Sequence, residues 1–225
     1  MILRPQLPPG LRELLPTYVA VGVMQVAELA DSLPAGEAAL IERAVPKRRR
    51  EFATGRVLAR ALLGELGIST DAIGQREDRT PLWPAGVVGS ISHCHDLSLV
   101  AVGRIADGIR SLGVDVEPAE PLPINVRNDV ASAAELAFAN SGAIAADLAL
   151  RRLFSAKEAA YKCIYPAVRQ ILEFHDLSVE FSENYDRFEA HLPTGTASQA
   201  GAPKTVAGRQ MEWDGWILTA TIWEQ

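Results

Sequence analysis

The sequence lacks the features that mark secreted, membrane-spanning or nucleic-acid-binding proteins. Its 225 residues include only two cysteines, too few for a disulfide framework, so we expect a reducing, cytoplasmic location. It contains no run of 18 or more apolar residues, and we therefore expect no transmembrane helix. It also lacks an excess of positive charge, since its net charge of −6 makes nucleic acid a poor candidate partner.

The chain does contain enough apolar side chains for a core, because 48% of its residues are hydrophobic. Each half has a strand, then helices, then further strands, which favours an α+β fold over a wound βαβ sheet. The predicted segments used below are a helix at 46–66, strands at 87–92, 97–102 and 113–117, helices at 145–153 and 156–164, and a loop at 193–208.

The two halves of the chain carry different charge. Residues 1–112 have a net charge of +1, and residues 113–225 have a net charge of −7. A protein that binds an anion on one side of a cleft and a cation on the other could show this difference. The support is weak, because most of the acidic residues have no assigned role.

The first candidate site is a strand segment, Gly113-Val114-Asp115-Val116-Glu117. Alternate residues share a face, so the two valines face the core while Asp115 and Glu117 lie together opposite, with Cα atoms roughly 6.6 Å apart. Two carboxylates so close repel each other unless a cation lies between them, and oxygen ligands suit Mg²⁺. A solvated strand face is the alternative.

The second candidate is the helical segment 154–162, Phe-Ser-Ala-Lys-Glu-Ala-Ala-Tyr-Lys. Glu158 and Lys162 share a helix face, where a carboxylate could complete a metal site and an ammonium could hold a phosphate. The structural alternative is strong, because Ser155 with Glu158 matches a capping box and Glu158 with Lys162 is a common helix ion pair.

The third candidate is Gly-Ser-Ile-Ser-His-Cys-His at 89–95. His93, Cys94 and His95 suggest a zinc site or a thiol nucleophile, but adjacent strand residues point to opposite faces and suit one tetrahedral ion poorly. Small hydroxyl residues and a histidine at a strand end suit phosphate binding. A plain turn is the alternative.

The fourth candidate is a basic helix surface. The run Lys-Arg-Arg-Arg at 47–50 and the following Arg56 lie on one predicted helix, with Arg48 about 80° from Arg56 around its axis. Such a surface could meet an anionic ligand, although most such runs are solvated helix faces. Arg79, just before Pro81, is a further candidate anion contact.

The order and spacing of these segments resemble the surfactin-type branch of the 4′-phosphopantetheinyl transferase superfamily, and within it the enterobactin synthase component D group. They lie in matching order over about half of the chain. The segments that carry the resemblance are Arg-Glu-Phe-Ala-Thr-Gly-Arg (50–56), Arg-Thr-Pro-Leu-Trp-Pro (79–84), Gly-Ser-Ile-Ser-His (89–93), Gly-Val-Asp-Val-Glu (113–117) and Phe-Ser-Ala-Lys-Glu-Ala-Ala-Tyr-Lys (154–162).

The resemblance implies two similar α/β halves in a pseudo-twofold arrangement, residues 1–112 and 113–225, with the active site between them. It implies transfer of 4′-phosphopantetheine from coenzyme A to a serine of an apo acyl, peptidyl or aryl carrier protein, with release of adenosine 3′,5′-bisphosphate. Mg²⁺ is the implied metal, with Mn²⁺ as a substitute. We expect a monomer, and a role in siderophore or other non-ribosomal peptide or polyketide synthesis.

The resemblance also assigns roles to individual residues. Asp115, Glu117 and Glu158 match metal ligands, and Glu158 also matches the base toward the serine hydroxyl. Lys162 matches the catalytic lysine that contacts the pyrophosphate, and Lys157 is a further candidate for a coenzyme A contact. The other matches are contacts to the phosphates and the adenosine end of coenzyme A: Arg48, Arg56, Arg79, Ser92 and His93.

Two alternatives belong to other functional classes. A catalytically degenerate member would bind coenzyme A without transferring anything, but the presence of all the matched acidic and basic residues disfavours it. A metal-dependent hydrolase or thiol enzyme that uses residues 93–95 would lose its activity in Cys94→Ala.

Overall fold

The computed structural model describes residues 7–142, 144–193, 195 and 201–225, and it shows the predicted α+β fold. In the N-terminal half a long helix packs on a small antiparallel sheet. The elements of this half are β1 (Ala20–Gln25), α1 (Ala35–Ala38), α2 (Pro46–Glu65), β2 (Gly74–Gln75), β3 (Pro81–Leu82), β4 (Val87–Cys94) and β5 (Leu97–Arg104). The sheet has the strand order β1-β5-β4, and β2 and β3 form a separate short hairpin.

The C-terminal half repeats this plan with a longer helix and a larger antiparallel sheet. Its elements are β6 (Ile109–Pro118), α3 (Arg127–Val130), α4 (Ala133–Ser141), α5 (Ala146–Val168), β7 (Ser178–Phe181), β8 (Arg187–His191), β9 (Thr205–Trp213) and β10 (Trp216–Glu224). The strand order is β6-β10-β9-β8-β7. Strands β4 and β6 are therefore each at the edge of their own sheet.

The long helix α2 begins as its sequence predicts. Pro46 lies in its first turn, where the missing N–H of proline leaves no intrahelical bond unmade. Leu58 and Leu62 are fully buried and pack in one cluster with Val100 and Val102 of β5. Burial of this apolar stripe fixes the helix on the sheet and leaves its basic N-terminal turns beside the end of β4.

The two sheets share a hydrophobic core. One buried cluster contains Val23 and Leu99 of the first sheet together with Val114 and Leu218 of the second, and Leu11 of the N-terminal segment closes it. The shared core brings the edge strands β4 and β6 side by side. The Ser90 hydroxyl on β4 accepts a hydrogen bond from the backbone N–H of Val114 on β6, at 3.1 Å.

The structure corrects the two predicted helices at 145–153 and 156–164, which form the single helix α5. Ser155 is fully buried in the middle of this helix, and its hydroxyl lies 2.7 Å from the Thr219 hydroxyl on β10. Ser155 is therefore not a helix cap, and the capping-box interpretation of Ser155 with Glu158 is wrong.

The predicted loop at 193–208 is partly a strand. Residues 194 and 196–200 lie outside the described residues, but β9 begins at Thr205 and pairs with β8 on one side and β10 on the other. Composition predicted a loop because this stretch is rich in proline, glycine and small polar residues. Pairing with two neighbouring strands overrides that weak local preference.

The predicted division between residues 112 and 113 falls inside β6. The strand starts at Ile109, whose partner on β10 is Glu224, and it stays paired with β10 as far as Pro118. Residues from Ile109 onward therefore belong to the C-terminal sheet.

Candidate active site

Asp115 on β6 lies at the centre of a buried polar cluster between the two halves. Its side chain is only 4% exposed. Its Oδ1 atom accepts hydrogen bonds from the Lys162 ammonium of α5 at 2.6 Å and from the Ser92 hydroxyl of β4 at 2.9 Å. Its Oδ2 atom is buried and has no hydrogen-bond partner among the described residues. A carboxylate oxygen left bare in this way is a ready acceptor for a ligand.

The alternation of β6 explains how this carboxylate is placed. Val114 and Val116 point into the shared core and are buried, which turns Asp115 and Glu117 to the other face of the strand, as predicted. That face is not solvated, because α5 covers it. Gly113 permits the close contact, since a Cβ atom there would lie 1.9 Å from the carbonyl oxygen of Ala159 on α5.

Four polar residues of α5 form a stripe that faces β6 and β10. They follow the helical spacing of four, three and four residues, and they are Arg151, Ser155, Glu158 and Lys162. The structure thus brings the predicted Glu158 and Lys162 to the two carboxylates of β6. It adds Arg151, which the sequence analysis missed although the spacing of the stripe is visible once α5 is known to be one helix.

Lys162 links the two halves and the carboxylates. Its ammonium donates to Ser92 on β4 at 3.0 Å and to Asp115 on β6, and it lies 3.9 Å from Glu158. Burial opposes the charge of the ammonium, but the carboxylates of Asp115 and Glu158 outweigh it and raise the pKa of Lys162 above its usual value. Lys162 is therefore a permanent cation at this site, with 28% of its side chain exposed to a ligand.

Glu117 and Glu158 are carboxylates in unfavourable surroundings. Burial, followed by the neighbouring Asp115, raises the pKa of Glu117 to about 7, although Arg151 donates to it at 2.8 Å. Burial also raises the pKa of Glu158, and Lys162 only partly opposes the shift. Both groups are held where an additional positive charge would favour their ionised form.

The donor set fits a hard divalent cation, although the described residues hold no preformed group of three or more metal-ligating side chains. Asp115, Glu117 and Glu158 supply only oxygen ligands, which suit Mg²⁺ or Mn²⁺. The unpartnered Oδ2 of Asp115 and the raised pKa of Glu117 both indicate a site that a cation would complete. In the structure, Lys162 and Arg151 provide the neutralising charges instead.

The predicted nucleotide contacts lie on the other side of β4. Ser92 faces β6, so the next residue, His93, points the opposite way toward the start of α2. The Arg48 guanidinium contacts His93 Nε2, and Glu51 lies 3.5 Å from His93 Nδ1. Burial lowers the pKa of His93 despite this carboxylate, so the ring is neutral at pH 7 and accepts from the arginine.

One cavity of about 110 Å³ is lined by Arg48, Arg56, Arg79 and His93, which the sequence analysis predicts as nucleotide contacts. Arg56 is 2% exposed and donates through Nη2 to the Gly74 carbonyl at 3.1 Å. Its Nη1 is buried without a partner among the described residues. Burial lowers the pKa of Arg56 to about 10, which leaves it charged at pH 7. A buried cation with a free donor points to an anionic ligand.

A second cavity, of about 660 Å³, opens between the halves on the other side of the β2–β3 hairpin. Lys162 and Tyr161 of α5 line one wall, and Trp83 and Ile91 of the N-terminal half line the other. Lys162 therefore faces a cleft that is large enough for an extended small-molecule ligand.

Lys157 is not brought to the site, and its predicted contact with coenzyme A is corrected here. The residue lies on the opposite side of α5 and is 1% exposed. Its ammonium donates to Glu135 Oε2 and to the carbonyl oxygens of Val130 and Phe174, each at 2.9 Å. All three donors are used, so Lys157 holds α5 to the neighbouring segments and has none left for a phosphate.

We expect Lys157→Met to destabilise the protein without changing the activity of the folded enzyme. The substitution leaves Glu135 buried without its cation, at a cost of about 3 kcal/mol in the free energy of unfolding. For a chain of this size that corresponds to a melting temperature lower by roughly 6–12 °C. Differential scanning calorimetry measures the melting temperature, and Lys47→Met, a substitution of an exposed lysine, is the control. Unchanged stability would contradict the structural role of Lys157.

The surroundings of Cys94 disfavour the thiol hypothesis for the 93–95 segment. Burial, followed by the carboxylates of Glu117 and Asp115, raises the pKa of Cys94 to about 12. Only about one thiol in 10,000 is ionised at pH 8, so Cys94 is a poor nucleophile. His95 lies in the turn after β4 with φ 47°, and its ring lies beside Trp216, 6.4 Å between centroids.

We therefore expect Cys94→Ala to keep full activity, and the folded protein to react slowly with iodoacetamide at pH 8. Intact-mass analysis over time measures the alkylation. The guanidinium-unfolded protein is the control, in which both cysteines should react quickly. Rapid loss of activity on alkylation of Cys94 would restore the thiol hypothesis.

Comparison with known proteins gives matches over most of the chain. Residues 36–103 match the sequence model of the 4′-phosphopantetheinyl transferase N-terminal domain, and residues 111–202 match that of the 4′-phosphopantetheinyl transferase superfamily. The chain is 37% identical to 4′-phosphopantetheinyl transferase PptT of Mycobacterium tuberculosis, over 83% of this chain and 84% of that protein. It is 36% identical to 4′-phosphopantetheinyl transferase Npt of Nocardia iowensis, over 91% and 97%. It is also 38% identical to enterobactin synthase component D of Escherichia coli, over 55% and 58%.

Within the part of the chain that the structure describes, no helix is long and apolar enough to cross a membrane.

Proposed function

The chain belongs to the 4′-phosphopantetheinyl transferase superfamily and is an enzyme of that class, and on this premise we propose its substrates and site. Coenzyme A is the donor, and a serine of an apo carrier protein is the acceptor. The products are the holo carrier protein and adenosine 3′,5′-bisphosphate.

One observation carries this proposal: consecutive residues of β4 face two adjoining polar sites. Ser92 faces the Asp115–Lys162 cluster, while His93 faces the cavity that contains Arg48, Arg56 and Arg79. A ligand with a phosphorylated nucleoside at one end and a pyrophosphate beside it matches both sites. Coenzyme A has this arrangement of charges.

We propose for the residues the roles that the family resemblance implies, which this geometry supports. The arginines and His93 hold the adenosine end and its 3′-phosphate, because the planar fork of arginine binds phosphate oxygens bidentately. Lys162 and Ser92 contact the pyrophosphate, where negative charge grows on the leaving group during transfer. A divalent ion, when bound, would be held by Asp115, Glu117 and Glu158 and would neutralise that pyrophosphate.

The transfer forms a bond between the serine oxygen and the phosphorus that carries the pantetheine arm. It breaks the bond from that phosphorus to the bridging oxygen, which leaves with adenosine 3′,5′-bisphosphate. The serine proton passes to the Glu158 carboxylate, which lies within the cluster on the same helix face as Lys162. The large cleft beside Lys162 receives the pantetheine arm.

The proposal extends to the metal, the carrier protein, the location of the enzyme and the roles of its two halves. We propose Mg²⁺ as the metal, with Mn²⁺ as a substitute, because the donors are all oxygens. A siderophore carrier is supported by the likeness to enterobactin synthase component D, which covers only about half of each chain. A cytoplasmic monomer is supported by two free cysteines and by the core shared between the halves. We propose that the predicted half 1–112 binds the nucleotide and the predicted half 113–225 the metal, with the boundary moved to Ile109, where β6 begins.

Intact-mass spectrometry of an apo carrier protein incubated with the enzyme, coenzyme A and Mg²⁺ tests the function. We expect the mass of one phosphopantetheine arm to be added, and no addition to a carrier whose acceptor serine is alanine. EDTA should abolish the addition, and excess Mg²⁺ should restore it. No added mass on siderophore, polyketide and fatty-acid carriers would overturn the proposal, and coenzyme A binding without transfer would indicate the degenerate alternative.

A further inference from the structure

The turn of the β2–β3 hairpin holds an arginine in an unusual backbone conformation. Arg79 has φ +67°, in the left-handed region. In a hairpin loop with this geometry glycine is the favoured residue, because a side chain there costs energy. An arginine at such a position is a candidate functional residue, since strained residues concentrate at functional sites.

Hydrogen bonds from neighbouring residues hold Arg79 in this conformation. Asp78 Oδ1 accepts from the backbone N–H of Thr80 at 3.0 Å and from the Thr80 hydroxyl at 2.6 Å. Gln75 Nε2 donates to the Arg79 carbonyl at 3.0 Å, and the Arg79 N–H donates to the Arg76 carbonyl at 2.9 Å. The carboxylate of Asp78 thus joins the residues on either side of Arg79 and closes the turn.

The other oxygen of Asp78 reaches across the cleft to the C-terminal half. Its Oδ2 atom accepts from the Tyr165 hydroxyl near the end of α5 at 3.2 Å, and it pairs with the Arg169 guanidinium. The guanidinium of Arg169 also lies over the Tyr165 ring, 5.8 Å from its centroid. The hydrogen bonds from Thr80 hold the pKa of Asp78 at about 2, so the group is fully ionised at neutral pH.

These two sets of contacts lie between the two cavities. Arg79 lines the small nucleotide cavity with Arg48 and Arg56, whereas Asp78 and Arg169 line the large cleft that Lys162 faces. One carboxylate therefore fixes the turn that presents Arg79 and ties that turn to the helix that carries Lys162.

We propose that Asp78 is a positioning residue that orients Arg79 toward the nucleotide and couples it to α5. The inference rests on the proposed function, because it takes coenzyme A as the ligand of Arg79. Asp78 acts through Arg79, so its substitution should weaken nucleotide binding and leave the chemical step at saturating coenzyme A nearly unchanged.

Calorimetric titration with coenzyme A in the presence of Mg²⁺ tests the proposal in a double-mutant cycle. The variants are Asp78→Ala, Arg79→Gly and the double variant that carries both substitutions. Glycine adopts the backbone conformation of residue 79 without strain, so this variant removes the guanidinium and preserves the turn. We expect each single change to weaken binding about tenfold, since one charge-assisted contact is lost or misplaced. The double variant should bind no more weakly than Arg79→Gly alone.

Two further variants separate the contacts of Asp78. Asp78→Asn keeps an acceptor for Thr80 and removes the charge that holds Arg169, so its effect should be smaller than that of alanine. Arg169→Ala leaves the turn intact and should weaken binding about threefold. In Asp78→Ala, Asp78→Asn and Arg169→Ala, kcat should stay within about twofold of the wild-type value, while the KM for coenzyme A rises. The exposed neighbour Glu77→Ala, checked like the others by circular dichroism, should bind as the wild type does.

Three outcomes would overturn the inference. Wild-type affinity in Asp78→Ala would show that the carboxylate does not orient Arg79. Effects of Asp78→Ala and Arg79→Gly that multiply in the double variant would show that they act independently. A wild-type protein that binds no coenzyme A would overturn the proposed function and this inference together, whereas the first two results leave the proposed function intact.

Discussion

Asp115→Asn is expected to lower kcat/KM for carrier modification by about 10³-fold or more, which corresponds to at least about 4 kcal/mol of transition-state stabilisation. The Asp115 carboxylate contacts both halves, through Ser92 of β4 and Lys162 of α5. Its Oδ2 is the buried acceptor without a partner among the described residues. The asparagine keeps the shape but removes the charge that a metal and Lys162 both need.

The measurement is the rate of carrier modification by mass spectrometry, with Mg²⁺ varied from micromolar to tens of millimolar. Circular dichroism and thermal melting check the fold, because the substitution leaves the Lys162 ammonium without its main partner. That ammonium is partly exposed and can turn toward water, so we expect a loss of only about 1–2 kcal/mol in stability. Asp107→Asn, in an exposed turn, is the control. A variant with more than a tenth of wild-type activity would contradict the assigned role of Asp115.

The sequence predicted the parts of this site that local periodicity controls. The alternation of Val114 and Val116 with Asp115 and Glu117 is enough to place both carboxylates on one face. The spacing of Glu158 and Lys162 is likewise enough to place both on one helix face. These patterns do not depend on the rest of the fold, and the structure brings all four charged side chains together.

Features that depend on packing between distant segments could not be predicted in this way. Arg151 pairs with Glu117, 34 residues away, and the pair exists only because α5 lies across β6. The predicted break in α5 at residues 154–155 hid the common face of Arg151 and Glu158. Similarly, the role of Asp78 depends on Arg169, which is 91 residues away in the chain.

Lys157 shows how a motif can mislead about a residue within it. It lies five positions before Lys162, which is a rotation of about 140° around a helix. The two lysines therefore point to different sides of α5, one to the buried Glu135 and one to Asp115. Two positions of one motif on a helix therefore need not bind the same ligand. The role of each lysine depends on the side of α5 to which it points.

The contrast between Lys157 and Lys162 gives the last prediction. Lys162→Met is expected to lower kcat by about 10²–10³-fold, the range found when one donor to a developing anion is removed. Lys162 is the charged donor between Asp115, Ser92 and Glu158, so its loss removes the cation beside the pyrophosphate and leaves three neighbouring carboxylates to repel one another. Because the buried Asp115 also loses its cation, the melting temperature should fall by about as much as in Lys157→Met.

Lys157→Met is the matched control, since it removes an ammonium from the same helix with the same new side chain. The two variants should differ in kcat when it is measured well below both melting transitions. Both should lose stability, but only Lys162→Met should lose turnover, whereas Lys157→Met should keep it. If both variants lost activity in proportion to stability, the two ion pairs would be equivalent structural contacts and Lys162 would have no separate role in catalysis. If Lys162→Met kept its turnover, the pyrophosphate would have to be neutralised by other groups, and the assignment of the Asp115–Lys162 cluster as the catalytic centre would fail.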